Sequence, residues 1–141
     1  MAKYVEYKIA KSFKEAINDK KGTLFEVFYM SNEGYSVKRY LCRVRYGDRY
    51  TRGDGLNKET IVISLISKNG SQSCGSWRIA TKDYYGAKIN DVASDTVTHY
   101  GAEIITLSRD VAYKHCMDNV KRKIAAIKRN AIKLHEAIYT L

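Results

Sequence analysis

The chain has 141 residues, 45% of them hydrophobic, which suits one domain with its own core and excludes a wholly disordered chain. Twenty-five Lys and Arg against fifteen Asp and Glu give a formal charge of +10, which favours anionic partners: nucleic acid, nucleotides and anionic membrane surfaces. Cys42, Cys74 and Cys116 are odd in number and form no C-x-x-C pair, which excludes a disulfide framework and fits reduced thiols.

The N-terminus, MAKYVEYKIAKSF, lacks the apolar run of a signal peptide, and no stretch approaches the ~18 apolar residues of a membrane span. A cytoplasmic protein that does not engage the membrane is expected. Residues 3–9 alternate, with Val5, Tyr7 and Ile9 against Tyr4, Glu6 and Lys8, which predicts a half-buried strand. Ser12-Phe13-Lys14-Glu15 has the S-x-x-E form of a capping box. Phe13, Ala16 and Ile17 share one face of a short helix that Gly22 can end. TLFEVFYM (23–30) is rich in β-formers, Ser31-Asn32-Glu33-Gly34 reads as a turn, and 35–46 returns as a longer strand.

Residues 47–58 form a glycine-rich loop, and the nearly all-apolar TIVISLIS (60–67) reads as a central strand. Asn69-Gly70 is a strong hairpin signal leading into a strand at 72–80. Further on, Ile89, Val92, Ala93, Thr96 and Val97 fit a helical face, although Thr96 to His99 also alternates like a strand. A helix ending near Gly101 is expected there, then a short strand at 102–107. No proline occurs, so turns fall to Gly, Asn, Asp and Ser.

Ser108 is a plausible N-cap, with Asp110 in the first turn, and the pattern from there to Leu141 is helical. Tyr113, Met117, Val120, Ile124, Ile127, Ala131, Leu134, Ile138 and Leu141 follow at alternating spacings of 4 and 3, a 3.5-residue seam over four heptads. One continuous helix would be about 48 Å long, and a break at Asp118-Asn119 would give two. The expected fold is α+β, a mostly antiparallel sheet of five or six strands with a short N-terminal and a long C-terminal helix. Residues 1–107 supply the sheet region and 108–141 the basic amphipathic helix, together one compact domain.

Self-pairing of the seam is unfavourable. With Met117 and Ile124 at a, the e positions are Lys114, Lys121, Lys128 and His135, and the g positions include Lys123 and no acid. A homodimer would set Lys against Lys. The seam is therefore expected to pack on the protein's own sheet or helices. A homo-oligomer through the broader face of Ala125, Ala126 and Ile132 is the alternative.

The charge excess is clustered. Residues 38–58 carry seven basic and two acidic side chains, and 109–141 carry eight and three, so each segment is +5 and the rest cancel. Strand alternation puts Arg39, Arg43 and Arg45 on one face, with Leu41, and Tyr40, Cys42, Val44 and Tyr46 on the other. Arg offers bidentate phosphate contacts and Tyr a ring on which a base can stack. The candidate phosphate-binding residues are Lys38, Arg39, Arg43, Arg45, Arg49, Arg52, Arg109, Lys121, Arg122, Lys128 and Arg129. The candidate stacking residues are Tyr46, Tyr50, Trp77 and Tyr84, with Ser76-Trp77-Arg78, Tyr85 and Asn90 as a smaller cluster.

Catalytic patterns are missing from the sequence. His99, His115 and His135 are far apart and lack metal-ligand spacing, and no P-loop, G-x-G-x-x-G or G-x-S-x-G occurs. A non-enzymatic binder with no metal and no cofactor is expected.

In size and Lys/Tyr/Asn-rich composition the chain resembles small accessory proteins of tailed phages that act in host takeover or counter-defence. Its sheet-then-helix layout is similar to that of the Thoeris anti-defence sponges, which sequester cyclic ADP-ribose signals with aromatic and Arg side chains. Arg109, Trp77 and Tyr84 are residues of the type that this resemblance requires. It would place the protein in the cytoplasm of a bacterial host. Three functions follow: nucleic-acid binding, first; sequestration of a phosphorylated nucleotide signal; or docking on an acidic host protein through the helix seam.

Overall fold

Apolar side chains at every second position give four consecutive segments a face to bury, and each becomes a strand. The computed structural model describes residues 5–19, 22–47, 60–66, 73–82 and 85–139. The expected glycine-rich loop from residue 48 on, with Arg49, Tyr50 and Arg52, lies outside the described residues, as do the expected turn at Asn69-Gly70 and Tyr84. The elements are α1 (Phe13–Asn18), β1 (Phe25–Ser31), β2 (Lys38–Gly47), β3 (Thr60–Ile66), β4 (Ser73–Ala80), β5 (Thr96–His99), β6 (Glu103–Thr106) and α2 (Arg109–Tyr139). They form one six-stranded antiparallel sheet in the order β4-β3-β2-β1-β6-β5, with a short and a long helix. This is the expected α+β architecture.

The inner face of the sheet carries Val27, Cys42, Val44, Ile61, Ile63, Ile79, Val97 and Ile105, all buried, and α1 covers them with Phe13 and Ala16. The Ser12 hydroxyl accepts from Glu15 N–H at 3.0 Å, while the Glu15 carboxylate reaches back to Lys11 N–H at 3.1 Å. Ser12 therefore caps the helix, with the return bond made to Lys11 one residue before the cap, and the helix ends at Asn18, short of Gly22. The sheet coils until its edge strands meet. Buried Asn90 joins them, donating to Ala80 O at 2.8 Å and Thr98 O at 3.0 Å and accepting from Thr98 N–H at 2.9 Å.

Three expectations are corrected. Residues 5–9 make only an isolated parallel bridge, Lys8 to Phe25. From Phe28 onward that edge of β1 is taken by β6, so only its first residues accept the N-terminal segment. The expected helix before Gly101 is replaced by turns and β5. Tyr100 and Gly101 both take positive φ (54° and 70°), the backbone of a hairpin turn, so the β-branched run at Thr96–Thr98 pairs with β6.

The third concerns what the C-terminal seam packs on, since the long helix itself is as expected. α2 is one unbroken helix of 31 residues, about 46 Å long. Ser108 accepts from Val111 N–H at 3.2 Å as its N-cap. Ala112 and Cys116 bury against Phe28, Met30, Val37 and Ile104 on the outer face. At the suspected break, Asn119 is buried and donates to Asn32 O at 3.0 Å and Gly34 O at 2.8 Å, and His115 donates to Asn32 O at 2.8 Å. The first three turns thus lie along β1. Beyond them residues 121–124 and 127–138 are exposed, so the seam does not pack on the sheet along its length. The last 20 helical residues, 120–139, extend for about 30 Å.

Candidate polyanion interface

The outer face of the sheet brings the cations of β2 together with one from β4. Alternation sends Cys42 and Val44 inward, so Arg43 and Arg45 point outward and are exposed. The register sets Arg45 opposite Val62 and Val62 opposite Arg78; Arg43 faces Ser64, which faces Ser76. With strands ~4.8 Å apart and ~3.4 Å per residue, Arg43 and Arg45 lie roughly 7 Å apart along β2, and Arg78 roughly 10 Å across from Arg45. Arg45 donates to Tyr46 O at 3.4 Å. Among the described residues, neither Arg43 nor Arg45 forms an ion pair with a carboxylate. Arg78 was legible only as a neighbour of Trp77; the strand pairing is what adds it to this row.

Arg39 and Arg109 have a different task. Glu26 is 1% exposed in the middle of β1, and Arg39 Nε donates to its Oε2 at 2.5 Å. Arg109 grips the same carboxylate with two bonds, Nε to Oε1 at 2.6 Å and Nη2 to Oε2 at 2.7 Å. The hydrogen bonds from Arg109, opposed by burial and reinforced by Arg39, hold the Glu26 carboxyl below its usual range. Tyr7 completes the group: Arg39 lies 5.0 Å over its ring, and its hydroxyl accepts from Arg109 at 3.4 Å. The triad fastens the start of α2 to β1 and β2. Both arginines stay half-exposed, so one net positive charge still reaches the outer face. The sequence signal for this was the lone acid inside the apolar run TLFEVFYM.

The aromatic candidates separate from the arginines. Trp77 is half-buried on the inner face, stacked on Tyr29 at 5.2 Å and meeting Tyr40 edge-on at 5.5 Å. One of its faces is therefore taken by Tyr29. At the same end of the sheet His99 Nδ1 bonds Glu103 at 3.0 Å, and burial, with Glu103 beside it, raises the Tyr29 phenol. Exposed Lys38 pairs in register with Tyr29 and belongs to this end. Tyr46 is exposed but alternates away from Arg43 and Arg45.

On α2, Lys121, Lys128 and Arg129 are exposed, and Arg122 donates to Asn119 Oδ1. An open cleft of about 450 Å³ lies between the β1–β2 turn and the helix, lined by Asn32, Tyr35, Asn119, Arg122, Lys123 and others. Neither described thiol suits nucleophilic chemistry. Burial pushes Cys42 up to about 12 and also raises Cys116. Among the described residues, no helix is long and apolar enough to cross a membrane. No protein-family model matches the chain, and no curated protein or solved structure matches it.

Proposed function

We propose that the protein is a non-enzymatic nucleic-acid-binding protein that takes the phosphate backbone on the outer face of β2–β4. The observation that carries this is the row Arg43, Arg45 and Arg78, three guanidiniums on one face of the sheet, on β2 and β4 with β3 between them. Guanidiniums bind phosphate bidentately and keep their charge at any physiological pH. Arg39 and Arg109 contribute through their net charge, and Lys121, Arg122, Lys128 and Arg129 extend the positive field along the helix.

Two features favour an extended polyanion over a small nucleotide. Arg43, Arg45 and Arg78 are all exposed and spread roughly 7 to 10 Å apart along and across the strands. The residues that a nucleotide sponge would use, Trp77 and Arg109, are engaged with Tyr29 and Glu26.

Fluorescence anisotropy with a labelled DNA duplex and a labelled single-stranded RNA tests the proposal. Binding should weaken linearly in log K against log salt, with a slope near −0.9 per phosphate on duplex. The Arg43→Ala/Arg45→Ala/Arg78→Ala variant should flatten that slope by roughly two to three units. Affinity that ignores salt, or a variant that binds like wild type, would contradict it. Calorimetry with cyclic nucleotides should show no heat; tight stoichiometric binding there would favour signal sequestration instead.

A further inference from the structure

The exposed half of α2 is basic and apolar at once, and the nucleic-acid proposal uses only its charge. Ile124, Ile127, Leu134 and Ile138 are 46–69% exposed, with Ala131 completing the a and d positions between them. A run of large aliphatic side chains along one helix face is more than scattered surface hydrophobes, and such patches mark contact sites. A phosphate backbone does not cover isoleucine.

We infer that this face docks an acidic amphipathic helix of another protein, in coiled-coil fashion. Charge decides the partner. Residues 120–139 carry Lys121, Arg122, Lys123, Lys128, Arg129 and Lys133 against Glu136 alone. Lys121 and Lys128 occupy e positions and Lys123 a g position, flanking the stripe where a partner's side chains must lie. A second copy of the chain would bring lysines to those lysines in either orientation. A helix with Glu at its e and g positions meets them with opposite charge along the same length.

The spacing of the stripe favours a helix over a lipid surface. A bilayer rewards apolar area and the Trp or Phe that interfacial helices present, and it does not read a 3.5-residue period. Here the period is kept from Met117 to Ile138, with no Trp or Phe. Ala131 at an a position permits an axis separation near the short end of the ~8–10 Å range.

The test titrates the full chain with a labelled four-heptad peptide carrying Ile at a, Leu at d and Glu at e and g. Saturable binding is expected, with no binding of the counterpart carrying Lys at e and g. The Ile127→Ser/Leu134→Ser variant keeps every charge and removes only exposed side chains, so its fold should be unchanged by circular dichroism. It should lose at least about tenfold in affinity for the acidic peptide, while Arg43→Ala/Arg45→Ala/Arg78→Ala keeps wild-type affinity. Equal binding by the serine variant would reduce the contact to charge alone and overturn the inference. So would failure to bind the acidic peptide, whether the stripe proves to pair two copies in sedimentation or to bind phosphatidylserine vesicles.

Discussion

The two halves of α2 share one 3.5-residue seam and have opposite surroundings. From Arg109 to Asn119 the helix is held at three levels: the Glu26 carboxylate, the apolar contact of Ala112 and Cys116, and the carbonyls of Asn32 and Gly34. Beyond Val120 the same spacing of apolar residues continues with exposed side chains. A periodic stripe thus states which residues share a face, and says nothing about what covers it. Cover on the first half comes from Phe28, Met30 and Ile104, whose positions depend on strand order.

The largest separation between the halves should come from deleting apolar side chains on either side of the boundary. Phe28→Ala removes the ring beneath Ala112 and Cys116 and should cost about 3 to 5 kcal/mol. Ile127→Ala and Leu134→Ala, made on exposed residues, should stay within about 0.5 kcal/mol of wild type. Urea unfolding reads all three, and a comparable loss at Leu134 would mean that the second half is covered.

A smaller effect should mark the boundary itself. Asn119→Ala takes the side-chain donor from Gly34 O, leaves Asn32 O to His115 alone, and should cost about 1 kcal/mol. Hydrogen exchange should then speed up in the turns around residue 119 before it does at Ala112.

The smallest effect is confined to acid. The folded-state pKa of Glu26 is depressed, so its ion triad stabilises fully above the unfolded value of ~4.3, and that stability is lost as pH falls toward the folded value. Thermal unfolding from pH 7 to pH 3 should show a steeper acid decline for wild type than for Glu26→Gln. Parallel curves would remove the triad from the account of how α2 is anchored.

Much of the fold is legible in local chemistry. Ser12 and Glu15 cap α1, alternation along 38–46 sorts Arg43 and Arg45 from Cys42 and Val44, and Ser108 starts α2. What escaped depends on distant partners. Thr96–His99 is β because β6 offers it an edge; its helical spacing is equally good. Glu26 is an ordinary acid until residues 13 and 83 positions away converge on it. Asn90 lies close in sequence to the aromatic cluster, and its work is to join the sheet edges. The candidate site divides in the same way. Arg43 and Arg45 follow from alternation, Arg78 joins through register, and Arg39 and Arg109 leave the row because a buried carboxylate claims them.

That division of the arginines gives the most direct test of the central proposal. Log K against log salt, measured on one DNA duplex, compares wild type, Arg43→Ala/Arg45→Ala/Arg78→Ala and Lys128→Ala/Arg129→Ala/Lys133→Ala. The sheet variant should lose roughly two to three units of slope and the helix variant less, because its cations stand on an arm remote from the row. A sheet variant that keeps the wild-type slope, with the loss falling on the helix variant, would contradict the assignment of the phosphate site to the outer face of β2–β4.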